Sequence, residues 1–192
     1  MSIEVKRKTN ETDIIVKLEL RGKGSSKIET GIPFFDHMLT LFAKHGFFDL
    51  KVAAKGDIDI DFHHTVEDVG IALGMAFKKA LGDVKGIKRY GFFAVPMDEA
   101  LAEAAVDICG RSNLVYNVEL RKGKVGEFDT ELAEAFFKGF VDQSFITLHL
   151  SLRYGKNMHH CLEAVFKAFA RALSMAVEEE KRHEIPSTKG VI

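Results

Sequence analysis

The sequence predicts an α+β fold built by internal duplication, and three observations carry that prediction. A short motif, His63-His64-Thr65-Val66-Glu67, recurs as His159-His160-Cys161-Leu162-Glu163, at a shift of 96 residues, half of the 192-residue chain. At the same shift Val69 matches Val165, and Ala72, Ala76 and Ala80 match Ala168, Ala172 and Ala176. Alanines four apart share one helical face. Ahead of each motif lies a short alternating segment, Leu50-Lys51-Val52 and Leu148-His149-Leu150, which reads as a strand. A repeat on this scale means that one supersecondary unit is used twice.

Taken in order, the elements support that reading. The first half opens with a strand-rich stretch, Ile14 to Leu20. A helix is predicted from Pro33 to His45, because proline suits a first helical turn, where its missing N–H has no partner to lose. The strand at Leu50 follows, then the glycine turn Lys55-Gly56-Asp57, then a helix opening near His63. The second half offers strands over Ala102 to Asp107 and Leu114 to Leu120, and a helix over Thr130 to Phe145 with Asp129 or Thr130 as its cap. It closes with the strand at Leu148, the turn Tyr154-Gly155-Lys156 and the second His-His helix. Each half is thus strands, helix, strand, helix, with helices on one face of a sheet. The halves, residues 1–93 and 94–192, are expected to pack through their helices as one compact body, since neither buries its helices well alone. The small alanine faces let those helices sit close to their neighbours.

Composition narrows the function. The chain is 46% hydrophobic and 29% charged, enough apolar material for a core, with a formal net charge of −1. That balance argues against a nucleic-acid-binding surface. No apolar run is long enough to span a membrane, and the opening MSIEVKRKTNETD lacks the apolar core of a signal peptide. Cys109 and Cys161 make no disulfide framework, so a reducing cytoplasm is expected.

The histidines carry the chemistry. On a helix, His63 and Glu67 are one turn apart and share a face that could hold one ion, whereas His64 lies about 100° around the axis. One motif therefore offers two metal-facing directions, and two copies suit two metal sites completed by groups from elsewhere, including another subunit. Imidazole with carboxylate fits manganese, iron, zinc or nickel. A single His-His pair is as readily a surface accident as a ligand set, but two copies with the same glutamate argue for ligands. The zinc-protease spacings are absent: Asp68 and Ala164 stand where a histidine would be needed. His37 and His45, eight apart, share a helical face, and His45 alone reads more readily as a satisfied core histidine. Three cationic stretches could meet an anion: Lys85 to Arg89, Gly110-Arg111-Ser112, and Pro186-Ser187-Thr188-Lys189-Gly190. The run Glu178-Glu179-Glu180 reads as a solvated helix end.

With these residues in view, the chain resembles the imidazoleglycerol-phosphate dehydratases over essentially its whole length. The resemblance rests on GIPFFDHM, HGFFDL, DFHHTVEDVGIALG, KGIKRYG, PMDEAL, CGRSNLVYN, TLHL, GKNMHHCLEAVFKAFARAL and IPSTKGV. It implies a duplicated unit of a four-stranded sheet with two helices on one face (the fold of domain 2 of ribosomal protein S5). It also implies assembly of 24 subunits into a cubic shell with active sites between subunits. By the same resemblance His37, His63, His64, Glu67, His159, His160 and Glu163 bind two manganese ions per subunit and the substrate. Glu11, His45, Arg89, Arg111, Ser187 and Lys189 would contact the substrate, the last four around its phosphate. The implied reaction is dehydration of imidazole glycerol phosphate to imidazole acetol phosphate in histidine biosynthesis, with Glu67, Glu163 and Glu11 as the catalytic carboxylates: the first two as ligands, Glu11 as an acid–base group. One departure stands out. The family carries histidine or glutamate where this chain has Ala135, the position that pairs by internal symmetry with His37. Each half is expected to gather its own set: His37 with His63, His64 and Glu67, and Ala135 with His159, His160 and Glu163. Two other classes remain open: a different metal-dependent lyase or hydrolase on the same fold, and a metal-storing shell, which would need no phosphate-binding cations.

Overall fold

A computed structural model describes residues 2–180 and residue 187. The first half comprises strands β1 (Ile3–Lys8), β2 (Thr12–Glu19) and β3 (Ser26–Glu29), helix α1 (Pro33–Gly46), strand β4 (Asp49–Gly56) and helix α2 (His63–Leu81). The second half repeats the order with β5 (Tyr90–Met97), β6 (Ala100–Asp107) and β7 (Asn113–Asn117). A small hairpin, β8 (Lys124–Val125) and β9 (Phe128–Asp129), then intervenes before α3 (Leu132–Ser144), β10 (Thr147–Tyr154) and α4 (Met158–Val177). The two four-stranded sheets have the same order, β1-β2-β4-β3 and β5-β6-β10-β7. In each, the last pair is parallel and the others antiparallel. The predicted duplicated α+β unit is therefore present twice. The seam expected between residues 93 and 94 falls inside β5.

Alternation makes the sheets one-sided. In β2, Thr12, Ile14, Val16 and Leu18 are buried, and in β6 so are Ala100, Ala102, Ala104 and Val106. The intervening side chains face outward. The buried faces receive the helices: α2 lies on β1 and β2, and α4 lies on β5 and β6. The other side of each helix meets the opposite half, α2 against α3 and α1 against α4. Phenylalanines fill that seam, with Phe42 stacked on Phe169 at 5.4 Å and Phe35 edge-on to Phe136 at 5.5 Å. Helix α2 reaches α3 closely because it carries glycine: a Cβ on Gly70 would lie 2.4 Å from the Phe136 carbonyl oxygen, and one on Gly74 equally close to that of Phe140. The alanine face of α4 does what its spacing predicted. A Cβ on Gly91 of β5 would lie 1.9 Å from the Ala172 carbonyl oxygen, so strand and helix pack with backbone nearly touching.

Two local expectations are corrected. Helix α3 starts at Leu132 with Glu131 as its N-cap and no side-chain cap. Asp129 is instead paired with Lys124 in the hairpin, and the Thr130 hydroxyl donates to the Arg121 carbonyl at 3.3 Å. The hairpin claims the residues that resemble a helix start. Strand β7 ends at Asn117 rather than Leu120, because its parallel register with β10 runs out at Ser151. The run Glu178 to Glu180 does follow the end of α4, with Glu178 and Glu179 exposed as expected, and it makes surface contacts there. Glu178 pairs with Lys88 at 2.6 Å, Glu179 pairs with Arg21, and the Glu180 N–H donates to the Gly86 carbonyl at 2.8 Å. Among the described residues no helix is long and apolar enough to cross a membrane.

Candidate metal centre

Two features of local sequence aim the His-His motifs. A glycine at or just past the end of each preceding strand brings strand and helix together: a Cβ on Gly56 would lie 2.1 Å from Thr65 Oγ1, and one on Gly155 would lie 2.3 Å from Cys161 Sγ. Thr65 and Cys161 are equivalent positions, third in each motif, and both are buried. The adjacent rings of each motif stand nearly perpendicular, His63 and His64 at 88° and His159 and His160 at 83°. Each motif thus presents two directions, as the helical rotation requires. Helix α4 is capped by Asn157, whose side chain accepts from the N–H groups of His159 and His160. In α2 the Asp61 carboxylate accepts from the His63 N–H at 2.7 Å.

One group of donors closes within the chain. Ligand atoms of His37, His159 and Glu163 all lie within 4.8 Å of one another. Glu163 Oε2 is 3.4 Å from His37 Nε2 and 3.2 Å from His159 Nε2, while its Oε1 accepts from Lys167 at 2.5 Å. Burial would raise the Glu163 carboxyl, but the Lys167 ammonium and the two imidazoles outweigh it and hold the group below its ordinary value. His37 is aimed by the loop entering α1, where Asp36 accepts from both the backbone N–H (3.0 Å) and the hydroxyl (2.5 Å) of Thr30. Phe34 packs edge-on against the His159 ring at 5.2 Å.

The grouping differs from the expected one. His37 joins the motif of the second half, not of its own, because α1 packs on α4. By the same crossing Ala135 on α3 belongs with α2. These helices run alongside in one direction, Gly70 at Phe136 and Gly74 at Phe140, so Ala135 sits abreast of the Val66–Glu67 turn. Among the described residues His63 and Glu67 join no three-donor group. His63 is exposed and lines a cleft of about 280 Å³ with Asp61, Glu127, Asp129 and Glu131.

The second histidine of each motif holds a carboxylate. His64 Nδ1 is 3.0 Å from Asp57 and 3.8 Å from Glu11, and His160 Nδ1 is 2.7 Å from Glu99. The Asp57 carboxylate raises the His64 pKa, and that of Glu99 raises the His160 pKa. Glu99 is held at about 2, first by the Asn157 N–H and then by His160. His45 is half-buried on the same face of α1 as His37. Its desolvation, then the neighbouring Lys167 charge, lower its pKa.

The candidate anion-binding residues lie elsewhere. Arg89 is clamped in a two-point ion pair on Asp107, at 2.6 and 3.1 Å, and its backbone N–H donates to the Ala176 carbonyl near the C-terminal end of α4. Arg111 is exposed, with its carbonyl facing Thr147 at 3.4 Å. Ser187 is half-buried, and Lys189 lies outside the described residues, as do Pro186, Thr188 and Gly190. Sequence reasoning missed Asp57, Glu99 and Lys167. Lys167 was legible as the residue one turn beyond Glu163. The other two reach their histidines only through strand ends and turns.

Comparison with known proteins matches this frame. The family model described as imidazoleglycerol-phosphate dehydratase matches residues 30–173. The imidazoleglycerol-phosphate dehydratase of Citrifermentans bemidjiense is 60% identical over 190 residues, covering 98% of this chain and 97% of that protein. That of Caldanaerobacter subterraneus is 58% identical, covering 98% of each. The crystal structure of the Staphylococcus aureus dehydratase superposes with a TM-score of 0.85 at 41% identity, covering 93% of this chain and 99% of that one. The Pyrococcus furiosus structure gives 0.85 at 34% identity, covering 98% and 100%. With the duplicated fold, the crossed histidine cluster and these likenesses agreeing, the chain belongs to the imidazoleglycerol-phosphate dehydratase family.

Proposed function

We propose that the chain is a hydro-lyase that removes water from D-erythro-imidazole glycerol phosphate to give imidazole acetol phosphate, in histidine biosynthesis, and that it does so in the cytoplasm with two manganese ions per subunit. The family assignment supports the reaction. The observation that favours the metal is the donor set itself: two imidazoles and one ionised carboxylate converge from two helices within 4.8 Å, a mixture suited to a divalent transition ion. His37, His159 and Glu163 would hold one ion and His63 and Glu67 another, with His64 and His160 presenting further nitrogens. Bound manganese supplies Lewis-acid polarisation of an imidazole substrate and a template that orients it. The chain's own groups do the rest. Glu11, exposed and near His64, is suited to moving the proton of the substrate carbon chain. Arg89, Arg111, Ser187 and Lys189 are suited to the phosphate, and His45 to the passage between.

Distance argues that no single chain completes the site. Arg89 is hydrogen-bonded to Ala176, sixteen residues beyond His160 on α4. At 1.5 Å per residue that is about 24 Å, too far for one small substrate to touch both. This favours active sites formed between subunits, and with it the closed shell of 24 that the family resemblance implies. Turnover after chelation, with and without added manganese, tests the function, and light scattering on the same samples tests the assembly. Metal-dependent turnover and a large particle that shrinks on chelation are expected. Absence of turnover with any metal would leave a storage shell as the better reading.

A further inference from the structure

The two halves place a glutamate at the same point, immediately before the second strand of each sheet: Glu11 before Thr12 of β2 and Glu99 before Ala100 of β6. Their surroundings differ. Glu99 sits in a two-residue turn between the paired Met97 and Ala100, with Asp98 in the left-handed region at φ 46°. Gly155 lets that turn close on α4, since a Cβ there would meet Cys161 Sγ at 2.3 Å and Ala100 Cβ at 2.9 Å. The Glu99 carboxylate is then filled from three sides. Oε1 accepts the N–H groups of Lys156 (3.1 Å) and Asn157 (2.7 Å), and Oε2 meets His160 Nδ1 at 2.7 Å. In the first half Asp57 takes that place, 3.0 Å from His64 Nδ1, while Glu11 stands back at 3.8 Å. At the matching stretch after the second-half strand the chain has Lys156, so there the turn glutamate must serve.

We infer that Glu99 is a positioning residue: it fixes the ring orientation and Nδ1–H tautomer of His160, leaving Nε2 as the donor to a divalent cation, while Asp57 does the same for His64 and releases the equivalent glutamate, Glu11, for the substrate. This rests on the metal reading proposed above. A carboxylate can only accept, so the nitrogen facing Glu99 must carry the proton, and the other nitrogen keeps its lone pair. Such outer carboxylates typically govern metal affinity by 10- to 100-fold, roughly. Asp98 approaches the outward nitrogen, Nε2, only to 3.7 Å and is largely exposed.

The geometry makes glutamine an informative replacement. In Glu99→Gln the one remaining oxygen is claimed by the two backbone N–H groups, which turns the amide NH2 toward His160 Nδ1. That nitrogen must then accept, the proton moves to Nε2, and the metal-facing lone pair is lost. Manganese titration of the chelated protein by calorimetry should therefore show one class of site weakened about 10- to 100-fold in Glu99→Gln, at least as severely as in Glu99→Ala, where either tautomer is open. Combining Glu99→Gln with His160→Ala should cost no more than His160→Ala alone, because both act through one ring. Glu11→Gln should keep both classes within about twofold while turnover falls. The inference is overturned if Glu99→Gln binds manganese as the parent does. It is also overturned if glutamine preserves affinity that alanine loses, the mark of a merely structural contact, or if Glu11→Gln weakens the metal as much. A parent protein that takes up no manganese would overturn the metal reading itself, and this inference with it.

Discussion

His37 Nε2 and Glu163 Oε2 lie 3.4 Å apart across 126 positions of sequence, one on the first half's α1 and the other on the second half's α4. The contact means that this cluster of candidate ligands is assembled across the duplication. Replacing His37 by Ala is expected to weaken one class of manganese site at least tenfold, about 1.4 kcal/mol, and leave the other class unchanged. Calorimetric titration of the chelated protein checks this. Equal weakening of both classes would mean that His37 does not belong to the α4 site alone.

Ala135 is the corresponding position on α3, abreast of Glu67, and a methyl group donates nothing to a metal. The α2 site is therefore expected to be the weaker of the two. Ala135→His is expected to tighten that class by tenfold or more (about 1.4 kcal/mol per factor of ten). Ala135 is half-buried, so an imidazole has room toward solvent. Two equally tight sites in the unmodified protein would show that position 135 is not a needed ligand.

Arg111 is exposed beside the end of the second sheet, whereas Arg89 is already clamped on Asp107. A charge-assisted contact to phosphate is worth roughly 1.5–3 kcal/mol. Arg111→Ala is expected to raise KM, or lower kcat/KM, by at least about tenfold. Steady-state kinetics across a range of phosphorylated substrate decide it, and near-native constants would remove Arg111 from the phosphate site.

Gly70 has no room for a side chain, because a Cβ would meet the Phe136 carbonyl oxygen at 2.4 Å, and that atom belongs to a helix backbone. Alanine gains about 1 kcal/mol in helix propensity, but forcing α2 and α3 apart typically costs about 1–3 kcal/mol, occasionally more. At so short a distance the crowding is expected to win. Gly70→Ala should lower the thermal midpoint of the metal-free protein by several degrees, read by calorimetry, and an unchanged or higher midpoint would show that the helices separate easily.

The duplication, the order of elements and the histidine motifs were legible in the sequence because each is local or recurs at a fixed shift. His63 and Glu67 share a face by helical geometry alone, and the alanines of α4 announce a close neighbour, found in Gly91. The short edge strands β1 and β3 were less legible. Few residues of β3 are even partly buried, so its alternation is faint. The hairpin that absorbs Asp129 and Thr130 imitates a helix start.

What the sequence by itself determined is therefore the repeated unit of strands and two helices, and the His63-His64 and His159-His160 motifs, each with its glutamate. Only the tertiary structure decided how those groups combine. Helices α1 and α4 pack across the seam, so His37 serves Glu163 rather than Glu67, and Ala135 falls opposite α2. Turn geometry assigned Glu99 to His160 and Asp57 to His64. The physical reason is range. Periodicity and capping act over a turn or two and are written in neighbouring residues. Which helix faces which is settled by the burial of phenylalanines and the close approach at glycines, between residues that the chain's linear order keeps far apart.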